Sequence, residues 1–291
     1  MRNEKQKFDT ICLIGTGTLA KNCGRLLSSK HDNIRFFDAN NEESWYLKKH
    51  CSELKNVRYA WLEKKALFDG IEELQGNVLI ISAVNPYIIP ARIVDNERYK
   101  AINLHHSLLP LHPGRNAEAW TIYDEDEYAG ITWHIIQNKV DAGEIITQSK
   151  TAIDGKMTSW KLFKLQNDMA FAAFESFLDD LLDDSLQYSA QEPVNAEDER
   201  FKLHYSYEKP NGGMLDLEWS AEKMSAFLRA MDYGPAKVLG VPAVKWKGEV
   251  FNISRYSIGS NDTAPDGVSE TEGGVRVAGD GMEIILRLED R

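Results

Sequence analysis

Residues 8–38 read FDTICLIGTGTLAKNCGRLLSSKHDNIRFFD, and the succession of patterns in them decides the fold. Phe8 to Ile14 is an apolar run of strand length. Gly15-Thr16-Gly17-Thr18 is a tight turn, Leu19 to Ser29 carries helical spacing, and Ile34 to Phe37 is a second strand that ends at Asp38. Strand, glycine turn, helix, strand predicts the opening of a doubly wound, mostly parallel α/β sheet of Rossmann-like type. The same turn offers backbone N–H groups to a ligand or allows close packing, and Gly15 and Thr16 are candidate substrate contacts. A GxG with an acid about twenty residues on, here Asp38, also fits a dinucleotide fingerprint whose third glycine is replaced by Ala20. An NAD(P)-dependent oxidoreductase using Gly15, Gly17 and Asp38 is therefore one alternative.

Working outward, Asn41 to Ser52 reads as a polar helix with Trp45 and Leu47 turned inward. Val57 to Trp61 reads as a strand and Ala66 to Leu74 as a helix. Asn77 to Val84 (NVLIISAV) is the nearly continuous apolar run of a central parallel strand covered on both faces. Asn85-Pro86-Tyr87-Ile88-Ile89-Pro90 follows, at the strand end where open α/β sheets bind ligands. A strand at Ala101–Leu104, a helix over Asn116–Asp124, and strands at Gly130–Ile136 and Glu144–Lys150 come next. Ser159 to Leu182 is a long amphipathic helix whose aromatic stripe is read as core packing. Beyond it the pattern changes. Ser220 to Met231 is one capped helix, and short strands follow at Ala243–Trp246, Val250–Ile258, Gly274–Ala278 and Met282–Leu288, the composition of a small OB-like β-barrel. The expected organisation is a large α/β domain over 1–184, a polar linker over 185–204 and the small β-barrel over 205–291.

The chain has 291 residues, 43% of them hydrophobic and 27% charged, which is ordinary for a globular protein. Its formal charge of −11 argues against a broad phosphate-binding face for nucleic acid. Three cysteines without metal-ligand spacing are expected to be reduced thiols, and no metal site is expected. Met1 to Asp9 is too polar for a signal peptide and the apolar runs are too short for a membrane span, so the expectation is a cytoplasmic, soluble protein.

The polar chemistry gathers in Ala101–Asp141. Asn103 and His105, two apart on a strand, share a face at the strand end, and Asp141 arrives after a second strand. An amine attacking an acyl carbon builds charge on oxygen and sheds a proton. That step needs a hydrogen-bond donor at the oxygen and a proton shuttle. Asn103 supplies the donor and His105 the shuttle, with a reference pKa of about 6.5. A neighbouring carboxylate, Asp141, is expected to raise that pKa. Ser107 lacks the GxSxG elbow of a hydrolase nucleophile.

The run N-L-H-x-S-L-L-P at 103–110, then Gly114-Arg115, then G-I-T at 130–132 and D-A-G-E-I at 141–145, resembles the folate-dependent formyltransferases. That family includes methionyl-tRNA, glycinamide ribonucleotide and amino-sugar formyltransferases. The resemblance covers residues 8 to about 185 as catalytic domain and 205–291 as the small C-terminal domain. It implies formyl transfer from 10-formyltetrahydrofolate, as co-substrate, to a primary amine. Asn103 would stabilise the oxyanion, His105 would shuttle the proton and Asp141 would raise the pKa of His105. Tyr87, Ile88 and Ile89 would meet the pterin by backbone, and Gln137, Asn138, Lys139, Val140 and Asp141 would form the second folate loop. Arg115 matches an arginine on the acceptor side. His106 and Leu111-His112-Pro113 depart from the family pattern.

Three acceptors compete: methionyl-tRNA, an amino-sugar nucleotide, and an aminoacyl group on a carrier. Residues 204–291 hold 14 acidic against 10 basic side chains, which disfavours tRNA. The expected partner is a small-molecule or carrier-borne amine, with neither nucleic acid nor membrane. Hydrolysis of formyltetrahydrofolate is a further alternative, since it needs the same three residues.

Overall fold

The computed structural model describes residues 7–195, 197–261 and 265–290. The chain divides into two compact units. The first comprises the chain up to Pro113, Gly130–Lys150 and Leu165–Glu197; the second comprises Gly114–Ala129, Thr151–Lys164 and Asp198–Arg291. A division at 184 and 205 therefore differs from the observed one, because two stretches read as catalytic domain, 114–129 and 151–164, cluster with the C-terminal residues.

The first unit follows the expected winding. Its strands are β1 (Thr10–Gly15), β2 (Ile34–Asp38), β3 (Val57–Trp61), β4 (Val78–Ala83), β5 (Tyr99–His105), β6 (Tyr128–Ile135) and β7 (Ile145–Ala152). Among the described residues they form a seven-stranded sheet in the order β3-β2-β1-β4-β5-β6-β7. Neighbours from β3 to β5 are parallel, and β6 runs antiparallel to β5. Helices α1 (Gly17–Ser28), α2 (Trp45–Ser52), α3 (Lys64–Glu72) and the short α4 (Ala91–Val94) provide the crossovers. Alternate side chains of each strand enter different cores, as period two requires. Ile11, Leu13, Leu79, Ile81, Ile102 and Trp133 pack with Leu27 and Phe174, whereas Cys12, Ile14, Val78, Ile80 and Ala101 pack with Leu67, Phe68 and Ile93.

Trp45 corrects one expectation. It is 75% exposed, because α2 starts only at that residue, with the Ser44 side chain accepting from the Leu47 N–H. The buried stripe of so short a helix is Leu47 and Cys51, one turn apart.

The second unit contains α5 (Ala117–Tyr123), the first turns of α6 (Ser159–Leu182), α7 (Ala221–Met231) and strands β8 (Met214–Leu215), β9 (Ala243–Trp246), β10 (Glu249–Ser260), β11 (Gly267–Thr271), β12 (Gly274–Gly279) and β13 (Met282–Asp290). The Ser220 hydroxyl caps α7 by accepting from the Lys223 N–H, satisfying one of the donors that a helix start leaves open. The strands lie in the order β11-β12-β13-β10-β9-β8, so among the described residues β11 and β8 are edges and the sheet is open. Phe227, Leu228 and Met231 of α7 pack with Val244, Val275, Val277, Ile284 and Leu286 of that sheet. No described helix is long and apolar enough to cross a membrane.

Candidate active site

Ser82, Asn103 and His134 stand in one row across the first sheet. Register places Ser82 beside Asn103 between β4 and β5, and Asn103 opposite His134 between β5 and β6. Residues in register on neighbouring strands bring their side chains together on one face. Each lies near the C-terminal end of its strand.

The predicted trio meets here. The Ser82 hydroxyl donates to Asn103 Oδ1 at 2.7 Å, and Asn103 Nδ2 lies 3.1 Å from His134 Nε2. Two residues along β5, His105 places Nδ1 3.4 Å from Asp141 Oδ2, while His134 Nε2 lies 3.4 Å from Asp141 Oδ1. One carboxylate thus sits between two imidazoles. The opposite nitrogens are held by backbone carbonyls, since His105 Nε2–H donates to His112 O at 2.9 Å and His134 Nδ1–H donates to Ile135 O at 2.8 Å. A carbonyl only accepts, so these bonds assign the hydrogen on each ring.

His105 is 6% exposed, and burial pushes its pKa below the usual imidazole range. The Asp141 carboxylate and the bond to His112 pull it upward but do not overcome that effect. Asp141 thus acts on His105 in the expected direction, but the net shift is downward because burial is the larger effect. Desolvation disfavours the charged ring, and for a ring closed in by β5 and the following loop it outweighs one carboxylate at 3.4 Å.

The chain around the trio is shaped to hold it. Asp141 adopts φ 50°, and the turn carrying it is closed by Ile135 N–H donating to Glu144 O at 2.9 Å. A Cβ on Gly143 would come 1.8 Å from Ile135 O, so only glycine allows the two backbones to approach this closely. Gln191 donates through Nε2 to Asp141 O at 2.8 Å and to Gly143 O at 2.9 Å. After β5, Thr132 Oγ1 donates to Ser107 O at 2.7 Å and accepts from Leu109 N–H at 3.0 Å, while Gln148 donates to Leu109 O. His106 Nε2 donates to Asn167 Oδ1 at 3.0 Å.

Other predicted residues take varied positions. Gly15 meets β4 so closely that an added Cβ would lie 2.0 Å from Ala83 O, and Thr16 Oγ1 donates to Val84 O at 3.2 Å. Both serve the joint between α1 and β4. Asp38 is fully buried and accepts from Asn40 N–H, Asn40 Nδ2, Ser44 N–H and the Tyr59 hydroxyl, so the acid of the dinucleotide reading is engaged within the protein. Tyr87 has its N–H and C=O bound to the Asn85 side chain at 2.9 and 3.1 Å. Ile88 is 66% exposed and Ile89 is buried. Gln137, Asn138 and Lys139 are exposed, Val140 is half-buried, and Asn138 donates to Asp95 at 2.5 Å. Arg115 belongs to the second unit, with an exposed side chain and its N–H donating to His204 O at 2.9 Å.

Sequence reading missed Ser82, Asn85, His134 and Gln191. A polar residue inside an apolar strand run was the available signal for Ser82 and His134. Gln191 lies in a stretch read as linker and gave none.

The profile of the formyl transferase family matches residues 2–175. Over 181 residues the chain is 29% identical to a GDP-perosamine N-formyltransferase of Brucella melitensis, covering 62% of this chain and 65% of that protein. Over 176 residues it is 28% identical to a methionyl-tRNA formyltransferase of Lachnospira eligens, covering 59% of this chain and 52% of the relative. The matches thus span less than two thirds of either relative's length. Among solved structures, an N-formyltransferase from Helicobacter canadensis, in complex with folinic acid and dTDP-3-aminofucose, superimposes with a TM-score of 0.70. It covers 96% of this chain and 99% of its own at 16% identity. The sugar 3N-formyltransferase WlaRD, with dTDP and 5-N-formyl-THF, gives 0.70 at 19% identity, covering 97% and 98%. At such identities the likeness establishes the fold.

Proposed function

From the premise that this chain belongs to the formyl transferase family, we propose that it moves the formyl group of 10-formyltetrahydrofolate onto the primary amine of an amino-sugar nucleotide. The observation that carries this reading is the convergence of Asn103, His105 and Asp141 at the end of β5. The amine nitrogen attacks the formyl carbon, and Asn103 Nδ2 is the donor for the developing oxyanion. His105 takes the proton shed by the amine and returns it to N10 as the N10–carbon bond breaks. Protonation of His105 Nδ1 places positive charge 3.4 Å from Asp141 Oδ2, so the carboxylate stabilises that state. Nothing in this sequence of steps needs a covalent enzyme intermediate.

Residues fit to hold the folate are the exposed Ile88 beside buried Ile89, and the 137–141 turn that carries Asp141. Support for a sugar acceptor comes from the perosamine relative and the amino-sugar neighbours. The methionyl-tRNA relative supports a second reading. It is opposed by the excess of acidic over basic residues in 204–291, the reverse of a nucleic-acid footprint. The small C-terminal sheet with its packed α7 is assigned the role of an OB-like appendage to the catalytic fold.

Tetrahydrofolate release from 10-formyltetrahydrofolate, measured with and without amino-sugar nucleotides, tests the proposal. Amine-dependent release with a formamide product is expected. Equal release in both conditions would assign hydrolysis instead, and release driven only by methionyl-tRNA would assign the second reading.

A further inference from the structure

We infer that Ser82 and Asn85 are positioning residues that set which way the Asn103 carboxamide points, and that the backbone N–H of Tyr87 dictates this direction. The inference deepens the formyl-transfer reading and rests on it.

The direction is set at a group with no ambiguity. A backbone N–H can only donate, and that of Tyr87 lies 2.9 Å from Asn85 Oδ1. Asn85 must therefore present its NH₂ on the other side, where Nδ2 reaches Tyr87 O at 3.1 Å and Ser82 Oγ at 3.2 Å. The Ser82 oxygen then acts as acceptor towards Asn85. A hydroxyl has one proton to give, and it is left for Asn103 Oδ1 at 2.7 Å. With Oδ1 so occupied, the NH₂ of Asn103 faces His134 Nε2 at 3.1 Å. The far end agrees independently. Ile135 O accepts from His134 Nδ1–H, and in the tautomer that carries its hydrogen there Nε2 is the acceptor that Asn103 requires.

Every bond in this relay points the same way, from Tyr87 to Ile135. One amide hydrogen of Asn103 is committed to His134, and the second is available to an oxyanion. Were the carboxamide reversed, an oxygen would face the developing negative charge, and stabilisation would become repulsion. The backbone supports the arrangement. Val84, between Ser82 and Asn85, adopts φ 59°, and Thr16 Oγ1 holds its carbonyl. A β-branched residue rarely enters that region of backbone space. The loop expected to receive the pterin and the group expected to receive the oxyanion are thereby one hydrogen-bonded assembly.

Three variants test this. Asn85→Asp still accepts from Tyr87 N–H but cannot donate to Ser82, so the Ser82 proton turns to the new carboxylate and the Asn103 amide reverses. Ser82→Ala removes the proton outright, and Ser82→Thr restores it. Asn85→Asp and Ser82→Ala are expected to lower kcat about 10-fold or more, with KM for folate and amine within about threefold, and Ser82→Thr to stay within about threefold of wild type. The side-chain ¹⁵N–¹H signals of Asn103, identified by their loss in Asn103→Asp and read without substrates, are expected to move in the first two variants and hold in the third. A kcat within about twofold of wild type in both, or unmoved Asn103 signals, overturns the inference. Should wild-type protein release no tetrahydrofolate on addition of amine, the proposed function falls, while the Asn103 signals still decide the positioning role.

Discussion

Asn103 stands directly opposite His134 in the antiparallel β5–β6 pair, and its Nδ2 lies 3.1 Å from the imidazole Nε2. The histidine thus holds the residue assigned to the oxyanion, and also borders Asp141 at 3.4 Å. His134→Ala should lower kcat about 10-fold with KM for folate little changed, since one orienting hydrogen bond is worth about 1–1.5 kcal/mol. His134→Gln, which can still accept from Asn103, should recover part of that loss. Steady-state kinetics on both variants checks this, and equal kcat for wild type and His134→Ala would remove the role.

Asp141 pulls the His105 pKa upward against the larger effect of burial. Removing its charge in Asp141→Asn should therefore move the acidic limb of kcat/KM to lower pH, and should cost about 100-fold in kcat. A limb that moves to higher pH would show that the carboxylate does not act on His105 in this way.

Burial of His105 also links stability to pH. Its folded pKa is depressed by desolvation. It therefore lies below the unfolded value of about 6.5, so in acid the unfolded chain binds more protons and stability is lost as pH falls below about 6.5. His105→Gln should flatten the fall of Tm between about pH 6.5 and 5. A slope identical to wild type in thermal scans would contradict the assignment.

Gln191 bridges the carbonyls of Asp141 and Gly143. Gln191→Ala should destabilise the protein by about 1–2 kcal/mol and raise KM for folate, because the turn carrying Asp141 loses its clamp. Denaturant titration together with KM measurement reads both effects.

Gly15 separates packing from ligand contact. An added Cβ would lie 2.0 Å from Ala83 O. Overpacking of this kind means that Gly15→Ala should cost about 1–3 kcal/mol of stability. A variant with unchanged Tm and altered substrate affinity would favour the contact role.

Much of this protein can be read along the chain. Period-two and period-3.6 patterns are local, so the alternation in Phe8–Asp38 and the apolar run of β4 announced a parallel α/β sheet with both faces covered. The resemblance at 103–110 and 141–145 singled out Asn103, His105 and Asp141. The C-terminal sheet was less legible: β8 and β11 are short or exposed, and among the described residues their pairing order leaves the sheet open.

What the sequence determined by itself was therefore the class of fold, and it singled out three polar residues as candidates, two on β5 and one in the turn before β7. Tertiary structure alone decided their setting. Strand register put Ser82 and His134 on either side of Asn103, and the fold brought Gln191 back under Asp141 from 50 residues away. Burial turned the expected rise in the His105 pKa into a fall, because desolvation sums over everything packed around a ring. Register and desolvation are properties of neighbours distant in sequence, which no local pattern carries.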